Sequence, residues 1–440
     1  MLTNKGIFKL IAGFFIFISC SSSKQTIQVE KMTTEKTAKV TANEASDPGL
    51  LESLLNKYPQ YFAEILKNRE KLHVQIIYTQ VNRRANGAPD FENHYFNLNP
   101  DQYFYPASTV KLPIVLLALQ KLQELKDKGI DMNTTMITET AFSRQTSVFN
   151  DPTSIDGRPT IGQYIKKILM VSDNDAYNRL YEFLGQEYIN TELIKKGFSS
   201  AQILHRLNIF LTEAENRNTN PVKFYDAAGK LLYEQPGQNN QDQYALRKDT
   251  MGNAYYAGGN LVNSPMNFSK KNRLVLEDLH NIVLRTVFPE KVKAKERFNI
   301  TADDRRFVLK YMSQYPTESL YPPYAADTSN YWATYCKFLY YGAEKVEPDK
   351  NIRIFNKPGD AYGNMIDAAY IVDHKNNIEF FLSAVIYCNS DGILNDDQYD
   401  YNTLGFPFMK NLGRVIYDHE LNRKYKIKPD LSPFLFTYDK

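Results

Sequence analysis

Strand-like patterning occurs only towards the two ends of this chain, and that restricts the fold more than any other feature. Val74-Gln-Ile-Ile-Tyr-Thr-Gln-Val81 reads as a strand, an Asn-Gly turn follows at 86–87, and a second strand falls near His94–Asn97. Strands return at Arg353–Asn356, Met365–Val372 and Glu379–Tyr387. Helical spacing marks 50–72, Thr109 to Lys126, Ile161 to Leu184 and about Tyr401 to Lys424. Residues 222–350 are mixed, with polar loops at 236–244 and 252–264 around amphipathic stretches. This layout predicts an α+β fold: an antiparallel sheet completed by both ends of the chain, flanked by N- and C-terminal helices, beside an all-helical lobe. A cleft between two such lobes is a usual place for a site.

The first twenty residues read as an address. Lys5 and Lys9 precede a nine-residue apolar run, Leu10 to Ile18, too short to cross a bilayer as a helix, which takes about 20 residues. The run ends in Ile18-Ser19-Cys20 and resembles a bacterial lipoprotein cleavage box, which implies lipidation at Cys20. Residues 21–48, rich in Ser, Thr, Lys and Glu, read as a solvated tether. The expected organisation is therefore a signal peptide over 1–20, a tether over 21–48 and a catalytic domain over 49–440. The mature protein would sit in the bacterial cell envelope, on a membrane through its acyl chains. A net charge of +3 on 440 residues gives no footprint for nucleic acid. Three cysteines without C-x-x-C spacing and six histidines without H-E-x-x-H support no zinc site, so neither metal nor cofactor is expected. Cys336 and Cys388 could pair in an oxidising compartment.

Three short motifs follow one another. In Tyr105-Pro-Ala-Ser108-Thr-Val-Lys111-Leu-Pro113, Ser108 and Lys111 share a helix face, and Pro113 places the helix start close to Ser108. An amine beside a serine can take its proton when burial or a second cation keeps that amine neutral. In Ser172-Asp173-Asn174, the hydroxyl can relay a proton and the amide can bind a carbonyl, although all three residues also favour helix caps. In Asn356-Lys357-Pro358-Gly359-Asp360, Lys357 offers a fixed cation and Gly359 lets a substrate approach the backbone. Each motif alone is weak. Ser21 to Lys24 is another S-x-x-K, and Lys195-Lys-Gly197 another K-x-G.

In order and together, the three resemble the serine β-lactamase and penicillin-binding superfamily, whose set is S-x-x-K, S-D-N and K-T-G. The likeness is closest to class A β-lactamases and extends to His205-Arg-Leu207 and Thr219-Asn-Pro221. It implies Ser108 as the acyl-forming nucleophile, Lys111 as proton acceptor and Ser172 as the group returning that proton to the leaving nitrogen. Asn174 would hold the substrate side-chain amide, and Lys357 would attract the substrate carboxylate and help keep Lys111 neutral. The backbone N–H groups of Ser108 and Asp360 would form the oxyanion hole. The implied substrate is a small-molecule β-lactam or a cell-wall peptide, and a monomer is expected.

Three departures bear on substrate and turnover. Class A enzymes carry a Glu in E-x-x-L-N after the Arg-Leu pair. Here the loop offers Glu213 and Glu215 without Leu and Asn at matching offsets, so each is either a relocated base or a solvated loop carboxylate. Pro358 replaces the hydroxyl residue of K-[TS]-G, and no Arg or Lys lies between Lys357 and Lys375 to replace its contact. The long separation of Pro221 from Lys357 implies an insertion, about 225–295, that could reshape the cleft. The leading expectation is class A-type hydrolysis of β-lactam amides. The alternatives are a D,D-peptidase or penicillin-binding-like acyltransferase or esterase, and a non-catalytic lipoprotein that binds cell-wall ligands.

Overall fold

The computed structural model describes residues 49–439; the expected signal peptide with Cys20 and the expected tether lie outside them. The two ends of the described chain meet in one antiparallel sheet. Strands β1 (Gln75–Arg83) and β2 (Pro89–Phe96) come from the N-terminal part. Strands β3 (Ile352–Asn356), β4 (Gly359–Ala361), β5 (Asn364–Asp373) and β6 (Ile378–Tyr387) come from the C-terminal part. The order is β3-β5-β6-β1-β2, and β4 pairs with β5 past the end of β3.

Period-two alternation sends the sheet's side chains into two cores. Ile366, Ala368, Tyr370 and Val372 of β5 join Phe381 and Val385 of β6 on one face. Met365, Ala369 and Ile371 join Phe380, Leu382, Ala384 and Ile386 on the other. Both faces are covered, so β5 and β6 read as nearly continuous apolar runs rather than half-polar strands.

Helices α1 (Leu50–Asn56) and α2 (Pro59–Lys67) cover the second face. The single helix expected over 50–72 is broken because Pro59 has no N–H to continue it and pushes Tyr58 out of the helical region. Helices α3 (Lys111–Glu124), α4 (Ile161–Val171), α5 (Asn174–Leu184) and α6 (Gln186–Lys195) form the helical lobe, and α7 (Glu213–Arg217) is one short turn. The helix expected over 161–184 is two, because Ser172 takes a left-handed φ of 60° at the junction of α4 and α5. Helix α8 (Leu276–Val287) packs on the first face, where His280 bridges Thr79 Oγ1 at 2.9 Å and Ser383 Oγ at 2.8 Å. Helix α9 (Ala302–Ser313) follows. Helix α10 (Phe406–Asn422), entered through a wide turn at Tyr401–Gly405, closes the second face.

Short strands tie the inserted region to the rest. Val222–Tyr225 pairs with Thr135–Thr138 and Leu231–Gln235. Ala254–Ala257 pairs in parallel with Ile393–Leu394, which joins the insertion to the loop after β6. Cys336 and Cys388 are both buried and unpaired. Among the described residues, no helix is long and apolar enough to cross a membrane, and no cluster of His, Cys, Asp or Glu could hold a metal ion.

Candidate active site

The three motifs converge between the lobes. Ala107 takes a left-handed φ of 48°, unusual for a residue with a side chain, and a tight turn over Ala107–Val110 then leads into α3. The turn leaves Ser108 half-buried, while Lys111 opens the helix fully buried beneath it. Ser108 lines a cavity of about 620 Å³ together with Tyr105, Asn174, Asp360, Tyr362 and Tyr401. Strand β4 presses against the turn. A Cβ on Gly359 would lie 2.7 Å from Ser108 N and 2.9 Å from Thr109 N, so no side chain fits there.

The break at Ser172 is what completes the cluster. Asp173 caps α5 by accepting from Ala176 N at 2.8 Å, which leaves Ser172 and Asn174 free to turn towards Lys111. Lys111 Nζ donates to Ser172 O, lies 3.2 Å from Ser172 Oγ and donates to Asn174 Oδ1 at 2.8 Å. Lys357 Nζ approaches the same hydroxyl from the other side, donating to Ser172 Oγ at 2.8 Å and to Pro358 O at 2.8 Å. One hydroxyl thus bridges two lysines.

Burial makes those amines easier to neutralise. Lys111 is held well below the ordinary lysine value by desolvation and then by the Lys357 charge. Burial pushes Lys357 down to about 8, against the opposing pull of Cys336, Asp367 and Asp360. A neutral Lys111 has two N–H groups and one lone pair. Ser172 O and Asn174 Oδ1 accept the two N–H groups, and Ser172 O–H can point at the lone pair. The arrangement suits a base at Lys111 and a proton relay at Ser172.

A second network fixes the strand end that carries Lys357. Asn356 Nδ2 donates to both Asp367 oxygens at 2.9 and 3.0 Å, and Asn356 Oδ1 accepts from Lys337 Nζ at 2.9 Å. The K-P-G motif is expected on a strand, but Lys357 and Pro358 occupy the gap between β3 and β4. Lys357 N still donates to Ala368 O at 3.1 Å, so the ladder stops only where Pro358 has no N–H to offer.

The loop after Arg206 is built differently. The Arg206 guanidinium donates to Glu182 Oε1 at 2.8 Å and to the Glu215 and Asn218 carbonyls at 3.1 and 3.0 Å. Glu182, buried on α5, also pairs with Arg179 at 3.0 Å. Glu215 caps α7, accepting from Thr212 N at 2.8 Å, and takes a bond from Ser143 Oγ at 3.1 Å. Glu213 lies at the surface, paired with Lys270 at 2.5 Å and Arg217 at 3.1 Å. Neither Glu213 nor Glu215 lines the cavity at Ser108. The carboxylates that do, Asp360 and Asp397, come from β4 and the loop after β6. Sequence reasoning missed Asp397, Tyr362 and Tyr401. No motif flags them, because they reach the cleft only through the turns after β4 and β6.

Residues 59–253, a little under half of the chain, match the β-lactamase enzyme family. The matched stretch holds Ser108, Lys111, Ser172 and Asn174. Among solved structures it is similar to a β-lactamase from Sphaerobacter thermophilus, at 12% identity over 82% of this chain and 97% of that one, with a TM-score of 0.43. A class A β-lactamase from Clostridium kluyveri matches at 13% identity over 82% and 98%, TM-score 0.42. A PBP-A variant in acyl-enzyme complex with penicillin G matches at 15% identity over 84% and 96%, TM-score 0.44. No curated protein sequence matches significantly.

Proposed function

We propose that this protein forms an acyl-enzyme on Ser108 with β-lactam amides or the related amides of cell-wall peptides, and that it releases the acyl group slowly. On this reading it stands nearer the penicillin-binding end of the superfamily than a class A β-lactamase built for turnover. The observation that carries it is the pair of buried lysines joined through Ser172 Oγ, at 3.2 and 2.8 Å. Burying two ammonium groups side by side is unfavourable, and a mere binding protein has no need of it.

In acylation, the Lys111 amine gives up a contact at Ser172 and takes the Ser108 Oγ proton as Oγ attacks the carbonyl carbon. The N–H groups of Ser108 and Asp360 receive the developing oxyanion, each such donor typically contributing about 10²–10³ in rate. The proton passes from Lys111 through Ser172 Oγ to the leaving nitrogen, and the C–N bond breaks. Lys357 draws the substrate carboxylate and disfavours a charge on Lys111. Asn174 holds the acyl-side amide. Deacylation needs a base for water; the engagement of Glu213 and Glu215 elsewhere supports slow release and leaves Asp360 and Asp397 as the carboxylates at the cavity.

Labelling with a fluorescent penicillin tests the reading. Wild type should carry a covalent label that Ser108→Ala lacks; a label on Ser108→Ala would place the nucleophile elsewhere. We also propose export and tethering through a lipidated Cys20. Cys20→Ala should leave the membrane fraction, and fatty-acid labelling that persists in that variant would refute the anchor.

A further inference from the structure

A second cavity, of about 750 Å³, adjoins the one at Ser108 and shares Tyr105, Leu207, Asn208 and Tyr362 with it. The insertion forms its far wall. Five cationic side chains line it, Arg206, Arg217, Arg247, Lys270 and Lys271, against one carboxylate, Glu213. Most of these charges are already matched. Arg206 pairs with Glu182, and Arg217 and Lys270 pair with Glu213.

One cation is left over. Lys271 is half-buried and has no carboxylate within ion-pair distance among the described residues. Arg247 is matched as well, its Nε lying 3.3 Å from Asp249 Oδ2. His205, on the same wall, is lowered to about 4 by burial and the nearby Lys271, so it is neutral and adds no further positive charge. An unmatched ammonium in such a concavity calls for an anionic acceptor.

The backbone beneath them is fixed rather than loose. Arg247 Nη2 donates to Phe268 O and Ser269 O at 3.0 Å and to Lys271 O. Asn272, fully buried, accepts from Leu204 N at 2.8 Å and His205 N at 3.2 Å. Lys271 is therefore held against the loop that borders Ser108. At the rim, Leu246 is 99% exposed and Phe210 79%, which suits a partly apolar segment leading to the charge.

We propose that this annex is an acyl-side subsite that holds a carboxylate of the substrate at Lys271. The assignment to the acyl side rests on the function proposed above. Asn174, the residue that would bind the acyl-side amide, lines the first cavity with Leu207 and Asn208, and those two residues continue into the second. The substrate would carry two anionic groups, one drawn by Lys357 and one by Lys271.

A matched pair of penicillins tests this: benzylpenicillin and its α-carboxybenzyl analogue, which differ by one side-chain carboxylate. Wild type should acylate with the carboxylated compound roughly fivefold to tenfold faster in kcat/KM, the size of one partly exposed charge-assisted contact. Lys271→Gln should erase that preference while leaving the benzylpenicillin rate within about twofold, and Lys271→Arg should retain it. No preference in wild type, or an equal loss with both compounds in Lys271→Gln, overturns the subsite. If neither compound acylates Ser108, the proposed function has failed rather than the subsite. Calorimetry of the Ser108→Ala protein with two N-acylated D-alanyl-D-alanine peptides differing by one acyl-side carboxylate then reads the annex directly. Tighter binding of the more anionic peptide, lost in Lys271→Gln, supports it, and equal Kd values refute it.

Discussion

The two walls of the Ser108 cavity are built on opposite principles. On one wall, Lys111, Ser172 and Lys357 are buried side chains whose polar atoms all converge on one hydroxyl. On the other, the 207–217 loop turns its carboxylates away, Glu215 into a helix cap and Glu213 into surface ion pairs. The first wall is the one to which the proposed function assigns acylation. The second holds its own shape through Arg206 and Glu182 and offers water no base. On the proposed function, the contrast separates acylation from deacylation: the buried lysines serve the first, and the 207–217 loop contributes no carboxylate to the second, which leaves Asp360 and Asp397 as the carboxylates at the cavity.

The largest effects should fall on the first wall. Ser108→Ala should abolish covalent adducts while leaving thermal stability near that of wild type, read by intact mass and melting temperature. Lys111→Met should slow acylation by roughly 10²–10⁴, the range for a general base. Because Lys111 is depressed, the rate should rise with pH at values well to the acid side of an ordinary lysine. It should fall again near pH 8, where Lys357 loses the proton that draws the substrate. Lys357→Arg keeps its charge and should remove that alkaline fall. A flat profile between pH 6 and 9 would detach both lysines from the chemistry.

Smaller effects sharpen the contrast. Pro358→Thr restores a hydroxyl that can donate to a carboxylate, and should raise kcat/KM for penicillins roughly tenfold, mostly through KM. Glu213→Gln removes only surface ion pairs and should leave the deacylation rate within about twofold. A tenfold drop in that rate would make Glu213 the base and erase the distinction between the walls.

Much of this was legible in the residues. The strands at both ends gave the sheet, because β5 and β6 are buried on both faces and their apolar runs are unmistakable. The three motifs marked Lys111, Ser172 and Lys357, which the fold brings together, and Ser108, which opens on the cavity beside them. The break at Ser172 was not legible. A left-handed serine inside an otherwise helical pattern is set by tertiary contacts, here with two lysines from distant parts of the chain. Nor could spacing show that Glu182 takes Arg206, or that Glu215 is a cap rather than a base. The annex was hidden for a like reason: an unmatched Lys271 is visible only once every neighbouring carboxylate has a partner.

The central claim is the separation of the two steps, and a time-resolved intact-mass measurement of the acyl-enzyme tests it most directly. Wild-type protein is mixed with a small excess of benzylpenicillin, followed to saturation, freed of unreacted penicillin and then watched as the adduct decays. The account predicts near-stoichiometric mass addition at Ser108 and an adduct that outlasts its own formation by at least roughly 10²-fold, the least that one missing general base should produce. Rapid turnover of the penicillin with no accumulating adduct would contradict it, and would mean that the second wall supplies a base after all.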